Sequence, residues 1–368
     1  MKRPYALDLS ETAWKEWCVA QGAKPFLGSQ IIEWMTRKNC LNPDQFSNIS
    51  LPLRARLLED FDWSLPGIDT LLKSDDESEK ILLKTHDGLF TECVLMPSEN
   101  RVTLCVSSQV GCRMACTFCQ TGKMGLSRNL TRGEILAQII IANRRLIERG
   151  DERRVTNIVF MGMGEPLDNF DEVVGACEVM LDERYFALSK HRVTVSTSGL
   201  VPAIEELGRR VPVSLAISLH SADEEQRSSM MPVNKKYPLA ELKETLLRYP
   251  VQTRHGITFE YVMINGVNDS IPHAKKLVKF LHGLKAKVNL IPMNPHPGSE
   301  MVATDPERMR EFQKYLTDRS IPAPVRYSRG QDVSAACGQL ASKRQSELKL
   351  PPRTVALARR REWLTTRT

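Results

Sequence analysis

Asn157-Ile158-Val159-Phe160-Met161 is a short run rich in β-branched and apolar residues, Gly162-Met163-Gly164-Glu165-Pro166 interrupts it, and Phe170 to Leu181 resumes with apolar residues at helical spacing. A strand that ends in a glycine-rich turn and feeds an amphipathic helix is one β/α unit. The alternation continues on both sides. Further strands are expected at Val102–Ser107, Val193–Thr197, Leu215–Leu219, Thr258–Met263 and Val288–Ile291. Helices are expected at Thr131–Glu148, Val201–Arg209, Pro238–Arg248, Ile271–Leu281 and Pro306–Asp318. Repeated units with right-handed crossovers make a parallel sheet, and six of them can curve into a partial, TIM-like (β/α)6 barrel with its chemistry at the C-terminal strand ends. The segments at those ends are rich in ligand-binding groups: Gly111 to Cys119, Gly162 to Pro166, Ser196-Thr197-Ser198-Gly199, Ser218-Leu219-His220 and Pro292-Met293-Asn294-Pro295.

Upstream of the barrel, Thr12–Ala20, Gly28–Thr36 and Leu53–Asp60 carry helical periodicity. Pro66-Gly67 ends that module, and Ile68–Leu72, Ile81–Thr85 and Phe90–Leu95 read as strands with polar turns between them. The expected division of this α/β chain is a small N-terminal helical accessory domain (1–64), a β-rich connector (65–100), the barrel core (101–340) and a basic C-terminal tail (341–368).

The 368 residues are 42% hydrophobic and 26% charged, a globular composition that excludes disorder or fibre as an overall description. The most apolar stretch, Ile135 to Ala142, is interrupted by Gln138 and is far below the roughly 18 apolar residues of a membrane span, so no transmembrane helix is expected. The N-terminus runs directly into charged residues without the apolar core of a secretory signal, which points to the cytoplasm. Thiols stay reduced there, so nine cysteines suggest metal binding or catalysis rather than a disulfide framework. The net charge of +7 is concentrated in residues 341–368, where eight Lys or Arg face two Glu. Such a tail can follow a nucleic-acid backbone, or it is simply a solvated terminus.

Cys112, Cys116 and Cys119 have the spacing C-x3-C-x2-C. Three thiolates within eight residues suit zinc or an iron–sulfur cluster. No fourth ligand stands at finger-like spacing, whereas a cubane held by three cysteines leaves one iron open; the spacing favours the cluster and keeps zinc as the alternative.

Cys112-Arg113-Met114-Ala115-Cys116-Thr117-Phe118-Cys119 resembles the signature of the radical S-adenosylmethionine (SAM) superfamily. Together with Leu104 to Gly111, Met161 to Pro166, Ser196 to Gly199, Ser218 to His220, Ile291 to Pro295 and Asp332 to Leu340, the chain resembles the RlmN/Cfr family of RNA adenosine methyltransferases over roughly residues 7–340. The resemblance implies a radical SAM fold, a [4Fe-4S] cluster on Cys112, Cys116 and Cys119, and two SAM molecules per turnover. It implies that Cys337 carries the methyl group, that Cys105 resolves the protein–RNA adduct through a transient disulfide, and that Glu92 accepts a proton. SAM contacts fall on Gly164, Glu165, Ser196, Ser218, Leu219, His220 and Asn294.

The implied reaction is methylation of adenosine C2 in RNA, with 23S rRNA, tRNA or both left open as the substrate, an electron donor such as flavodoxin and a monomeric enzyme. C8 methylation of the Cfr type is the alternative, because the Cys119 to Gly125 loop resembles Cfr while Gly164-Glu165-Pro166 and Ser196 to Gly199 resemble RlmN. Taken alone, Cys105 lies in an apolar β pattern from which it can point either way, and Cys18, Cys40, Cys93 and Cys177 read as packing residues. Two other classes compete: an RNA-binding protein with a non-catalytic cluster, and a radical enzyme acting on a small molecule.

Overall fold

The computed structural model describes residues 3–251, 256–294 and 299–336; Cys337 and the basic tail lie outside the described residues. Three helices open the chain, α1 (Glu11–Ala20), α2 (Phe26–Thr36) and α3 (Leu51–Asp60), packed around the fully buried Trp14. Its indole contacts Trp17, Phe61 and Trp63, a cluster of aromatic rings that supplies most of the core of so small a module.

Four antiparallel strands follow, β1 (Gly67–Lys73), β2 (Glu79–Lys84), β3 (Phe90–Ser98) and β4 (Arg101–Cys105). The chain then makes a separate hairpin, β5 (Gln109–Cys112) with β6 (Gly125–Asn129), that brackets the short helix α4 (Gln120–Lys123). The regular alternation runs α5 (Arg132–Glu148), β7 (Asn157–Phe160), α6 (Phe170–Leu181), β8 (Val193–Thr197), α7 (Val201–Arg210), β9 (Ser214–Ser218), α8 (Glu224–Met230), α9 (Leu239–Arg248), β10 (Ile257–Met263), α10 (Ile271–Leu281), β11 (Ala286–Pro292) and α11 (Pro306–Thr317).

Among the described residues the main sheet has nine strands in the order β1-β2-β3-β4-β7-β8-β9-β10-β11. Strands β4, β7, β8, β9, β10 and β11 are parallel and form the six-stranded partial barrel; β1 to β3 extend the same sheet beyond it. The β-rich segment after the helical module is therefore continuous with the barrel wall. Among the described residues the sheet does not close on itself. Instead, the chain after α11 runs along β11, where Val288 and Leu290 N–H donate to Pro322 and Pro324 carbonyls, and then crosses to the turn between β1 and β2.

Helix α5 shows why Ile135 to Ala142 is so apolar. Thr131 and Glu134 form a reciprocal capping box at its start. One side of the helix (Ile135, Leu136, Ile139) packs on the sheet, and Ala137 and Ile140 pack on the N-terminal module, so the helix is buried between two cores. Asp8 fastens the module there: its carboxylate accepts from Gly133 N–H at 2.9 Å and its carbonyl from Arg132.

Strand alternation sets which residues face the lumen. Arg101, Thr103 and Cys105 line it from β4, Thr258, Glu260 and Val262 from β10, and Lys287, Asn289 and Ile291 from β11. Their neighbours Phe259, Tyr261, Val288 and Leu290 are fully buried in the layer outside the strands.

Candidate active site

A cavity of about 530 Å³ occupies the barrel lumen and reaches the C-terminal strand ends. That volume is in the range that encloses a small-molecule ligand. Cys112, the last residue of β5, and Cys116 and Cys119, in the loop before α4, all line it. Burial pushes each of these thiols up, and for Cys112 and Cys116 the neighbouring thiols of the loop add to the effect. Three clustered thiols of this kind lose their protons readily only to a cation that shares them.

Among the described residues no three His, Cys, Asp or Glu side chains are placed to hold a single metal ion. A tetrahedral zinc site needs sulfurs about 3.8 Å apart, from Zn–S bonds of roughly 2.3 Å. A cubane instead takes each thiolate on a different iron. The donor set, three soft thiols facing a cavity, fits the cluster.

The loop after β7 is shaped by close approach to β5. Gly164 has φ +103°, and a Cβ there would stand 2.6 Å from Gln109 Cβ, so no other residue fits without displacing β5. The Gln109 side chain receives Glu165 N–H at 2.9 Å and donates to Asn129 and Asp168, and Asp168 pairs with Arg113 of the cysteine loop at 2.8 Å. Glu165 is buried, with one carboxylate oxygen accepting from Leu167 N–H (3.1 Å) and the other from Ser198 N–H (2.7 Å). Burial raises this carboxyl in spite of those bonds, and a ligand ammonium placed against it would favour its ionised form.

Ser196 at the end of β8, Ser218 at the end of β9, His220 and Asn294 also line the cavity. His220 has φ +57°, and its Nδ1 accepts Val262 N–H at 3.1 Å, which leaves Nε2 as the protonated nitrogen. Burial, with Arg227 nearby, lowers it to about 3, so the ring is neutral. Leu219 stands apart: its side chain is fully buried in the core, its N–H donates to Glu260 O, and its carbonyl accepts from Arg227.

The opposite wall belongs to β3 and β4. Cys105 faces the lumen and packs with Val94, Met163 and Ala335, which settles its direction. Glu92 lies two residues before Val94 and so on the same face of β3. It is 3% exposed and does not line the cavity; burial raises its carboxyl, while Lys80, 3.9 Å from Oε2, pulls it down. Ser107 ties this wall to the β7 loop: its hydroxyl donates to Glu92 O and accepts Met163 N–H. Cys337 lies outside the described residues.

Several structural side chains of the site have no counterpart in the motifs. Arg227, on α8, is fully buried and donates to Ser198 O (2.7 Å), Leu219 O (3.1 Å) and Asn234 Oδ1 (2.6 Å), so one guanidinium joins the loops after β8 and β9. Gln138 exchanges two 2.9 Å hydrogen bonds with the Ser107 backbone; its place inside an apolar run was the visible signal. Glu260 and Asn289 are paired in the lumen at 2.9 Å. Arg101, Arg192 and Lys287 stand near the N-terminal strand ends of the same cavity, whose only lining carboxylates among the described residues are Glu165 and Glu260.

The sequence matches the family profile of the radical SAM superfamily over residues 106–278, and that of the ribosomal RNA large subunit methyltransferase N-terminal domain over residues 6–62. It is 47% identical, over 88% of this chain and 87% of the relative, to the dual-specificity RNA methyltransferase RlmN of Anaeromyxobacter sp. (strain Fw109-5). The crystal structure of a radical SAM methyltransferase from Sphaerobacter thermophilus superposes with a TM-score of 0.86 at 43% identity, covering 91% of this chain and 98% of that one.

Proposed function

The chain belongs to the RlmN family of radical SAM methyltransferases, and on that basis we propose that it methylates C2 of adenosine in RNA, in both 23S rRNA and tRNA, through a methylated Cys337. The observation that carries this reading is the convergence on one lumen of three cysteines, the buried carboxyl of Glu165 and a separate thiol, Cys105, on the facing wall. The name of the Anaeromyxobacter relative, a dual-specificity RNA methyltransferase, supports two RNA substrates.

Cys112, Cys116 and Cys119 would hold the [4Fe-4S] cluster. Gly164, Glu165, Ser196, Ser218, His220 and Asn294 would hold SAM, with the Glu165 carboxylate pairing with its ammonium. Bound there, cluster and SAM supply a transferable methyl group and, on one-electron reduction, a carbon radical able to abstract an unactivated hydrogen. A radical is required because C2 of adenine is an electron-poor sp2 carbon that does not displace methyl from a sulfonium.

The protein's own residues do the rest. Cys337 accepts the first methyl group: an S–C bond forms, the sulfonium S–C bond breaks, S-adenosylhomocysteine leaves and the thiol proton is lost. After the methyl carbon has joined the base, Glu92 is the final acceptor of the proton from the base carbon, which reaches it by relay because its side chain lies beside the cavity and not in it; a carboxyl raised by burial is a better base than an exposed one. Cys105 releases the RNA: its thiolate attacks the Cys337 sulfur, the S–S bond forms as the Cys337 S–CH2 bond breaks, and the base-bound carbon keeps that electron pair and takes up a proton to become the methyl group. The basic residues at the lower lumen supply a field for the RNA backbone, and the enzyme works as a cytoplasmic monomer fed by a flavodoxin-like donor.

The test is paired. Cys337→Ala abolishes RNA methylation and keeps iron and cluster absorbance, whereas Cys116→Ala loses both. Methylation by Cys337→Ala, or full iron in Cys116→Ala, overturns the assignment concerned.

A further inference from the structure

Residues 326–336, which follow the bridge of Val325 to β11, cross the open side of the barrel and land on the β1–β2 turn, Ser74 to Ser78. The landing is specific. Asp332 carboxylate oxygens accept from Ser74 Oγ (2.5 Å) and Asp75 N–H (3.2 Å). Asp76 answers from the other side: its Oδ2 accepts Gly330 N–H (3.0 Å) and pairs with Arg329 Nε (3.2 Å), and its carbonyl also accepts from Arg329. Lys80, on β2, donates to Ser334 O at 3.2 Å.

The crossing loop is itself folded for this fit. Ala335 N–H donates back to Gly330 O at 2.8 Å, Gly330 has φ +64°, and a Cβ on Gly330 would lie 2.7 Å from Ala335 Cβ. The result of the closed turn is that Ala335 packs against Cys105 and Val94 at the lumen wall. Two side chains that each satisfy two partners across more than 250 residues of sequence are more than a solvated turn needs.

We propose that the β1–β2 turn is a dock for the C-terminal loop, and that Asp76 and Asp332 are positioning residues that set where Cys337 stands relative to Cys105 and the lumen. This rests on the reading of Cys337 as the methyl carrier. The dock gives the β1 to β3 extension of the sheet a purpose: it carries the anchor at one end and Glu92 and the Cys105 wall at the other.

The test uses full-length protein and two readouts. The first is hydrogen exchange, by mass spectrometry, of the peptides containing Asp75 and residues 329–336. The second is the mass of the Cys337 peptide during incubation of cluster-loaded enzyme with SAM. Both aspartates lie at the surface, so Asp76→Ala and Asp332→Ala leave the core intact; Asp332→Asn, which keeps one acceptor oxygen, is the graded control.

Exchange is expected to rise in the order wild type, Asp332→Asn, Asp332→Ala, with cluster absorbance unchanged. Methylation of Cys337 is expected to slow by on the order of ten- to a hundredfold in the alanine variants, the scale of a misplaced reacting group. Unchanged exchange refutes the dock, and increased exchange with Cys337 methylated at the wild-type rate refutes the positioning role. If Cys337→Ala still methylates RNA, the methyl-carrier reading fails, while the exchange result still judges the dock on its own.

Discussion

Glu260→Gln is expected to stabilise the protein, and to do so more at alkaline than at acid pH. Glu260 is 6% exposed in the lumen, with Asn289 donating to it and Lys287 and Arg326 nearby. Burial outweighs these partners and raises the carboxyl from 4.5 to about 7. A raised carboxyl means that the folded state holds the proton more tightly than the unfolded chain. Full stability is then present below the unfolded value and is lost as pH rises through the folded one.

The whole loss is about 3 kcal/mol, from the rise of this carboxyl from 4.5 to about 7 at roughly 1.36 kcal/mol for each tenfold change in proton affinity. By pH 5.5 about 1 kcal/mol of it has already gone, because the unfolded chain ionises first; about 2 kcal/mol more goes by pH 8.5. Glutamine keeps the acceptor oxygen for Asn289 and removes the titration. Urea unfolding of both proteins, prepared identically, at pH 5.5 and 8.5 reads the difference, and titrations common to both cancel. The advantage of the variant should widen by about 2 kcal/mol between these pH values. A constant gap would show that Glu260 is not held protonated by burial.

Cys105→Ala should let a covalent enzyme–RNA adduct accumulate, visible as a shifted band on denaturing gels; normal turnover without adduct would reduce Cys105 to a packing residue. Arg227→Met should strand Ser198 O and Asn234 Oδ1 without donors, costing on the order of 3 kcal/mol and weakening SAM binding as the two loops separate. Wild-type unfolding midpoint and SAM affinity in that variant would contradict the loop-joining role.

The strands of the barrel were legible because each is a short β-branched or apolar run set between longer amphipathic stretches: Val193–Thr197 is found as expected, and the others differ by one or two residues at their ends. The hairpin β5–β6 was not. Gln109 pairs with Asn129 twenty residues away, and the cysteine loop between them carries no period that announces a strand. Helix α8 was also missed, since the large side chain it buries most fully is a charged one, Arg227, and a short polar helix has no apolar stripe to read.

The lumen-facing polar set was present in the pattern, because Thr258 and Glu260 alternate with Phe259 and Tyr261, and that alternation marks the polar side as the inside of a barrel. The direction of Cys105 needed the structure, since a one-residue change of register reverses it. The motif cysteines and the Gly164-Glu165 pair were readable because their chemistry is local to short segments, whereas the dock joins residues 74–76 to 329–332 and leaves no trace in either segment alone.

The most direct measurement is mass spectrometry of nucleosides from 23S rRNA and tRNA after anaerobic incubation of the cluster-loaded enzyme with methyl-labelled SAM and a reductant. Labelled 2-methyladenosine in both RNAs is the predicted result. Labelled 8-methyladenosine would move the chemistry to the other carbon, and cleavage of SAM without any labelled adenosine would contradict the proposal that RNA is the methyl acceptor.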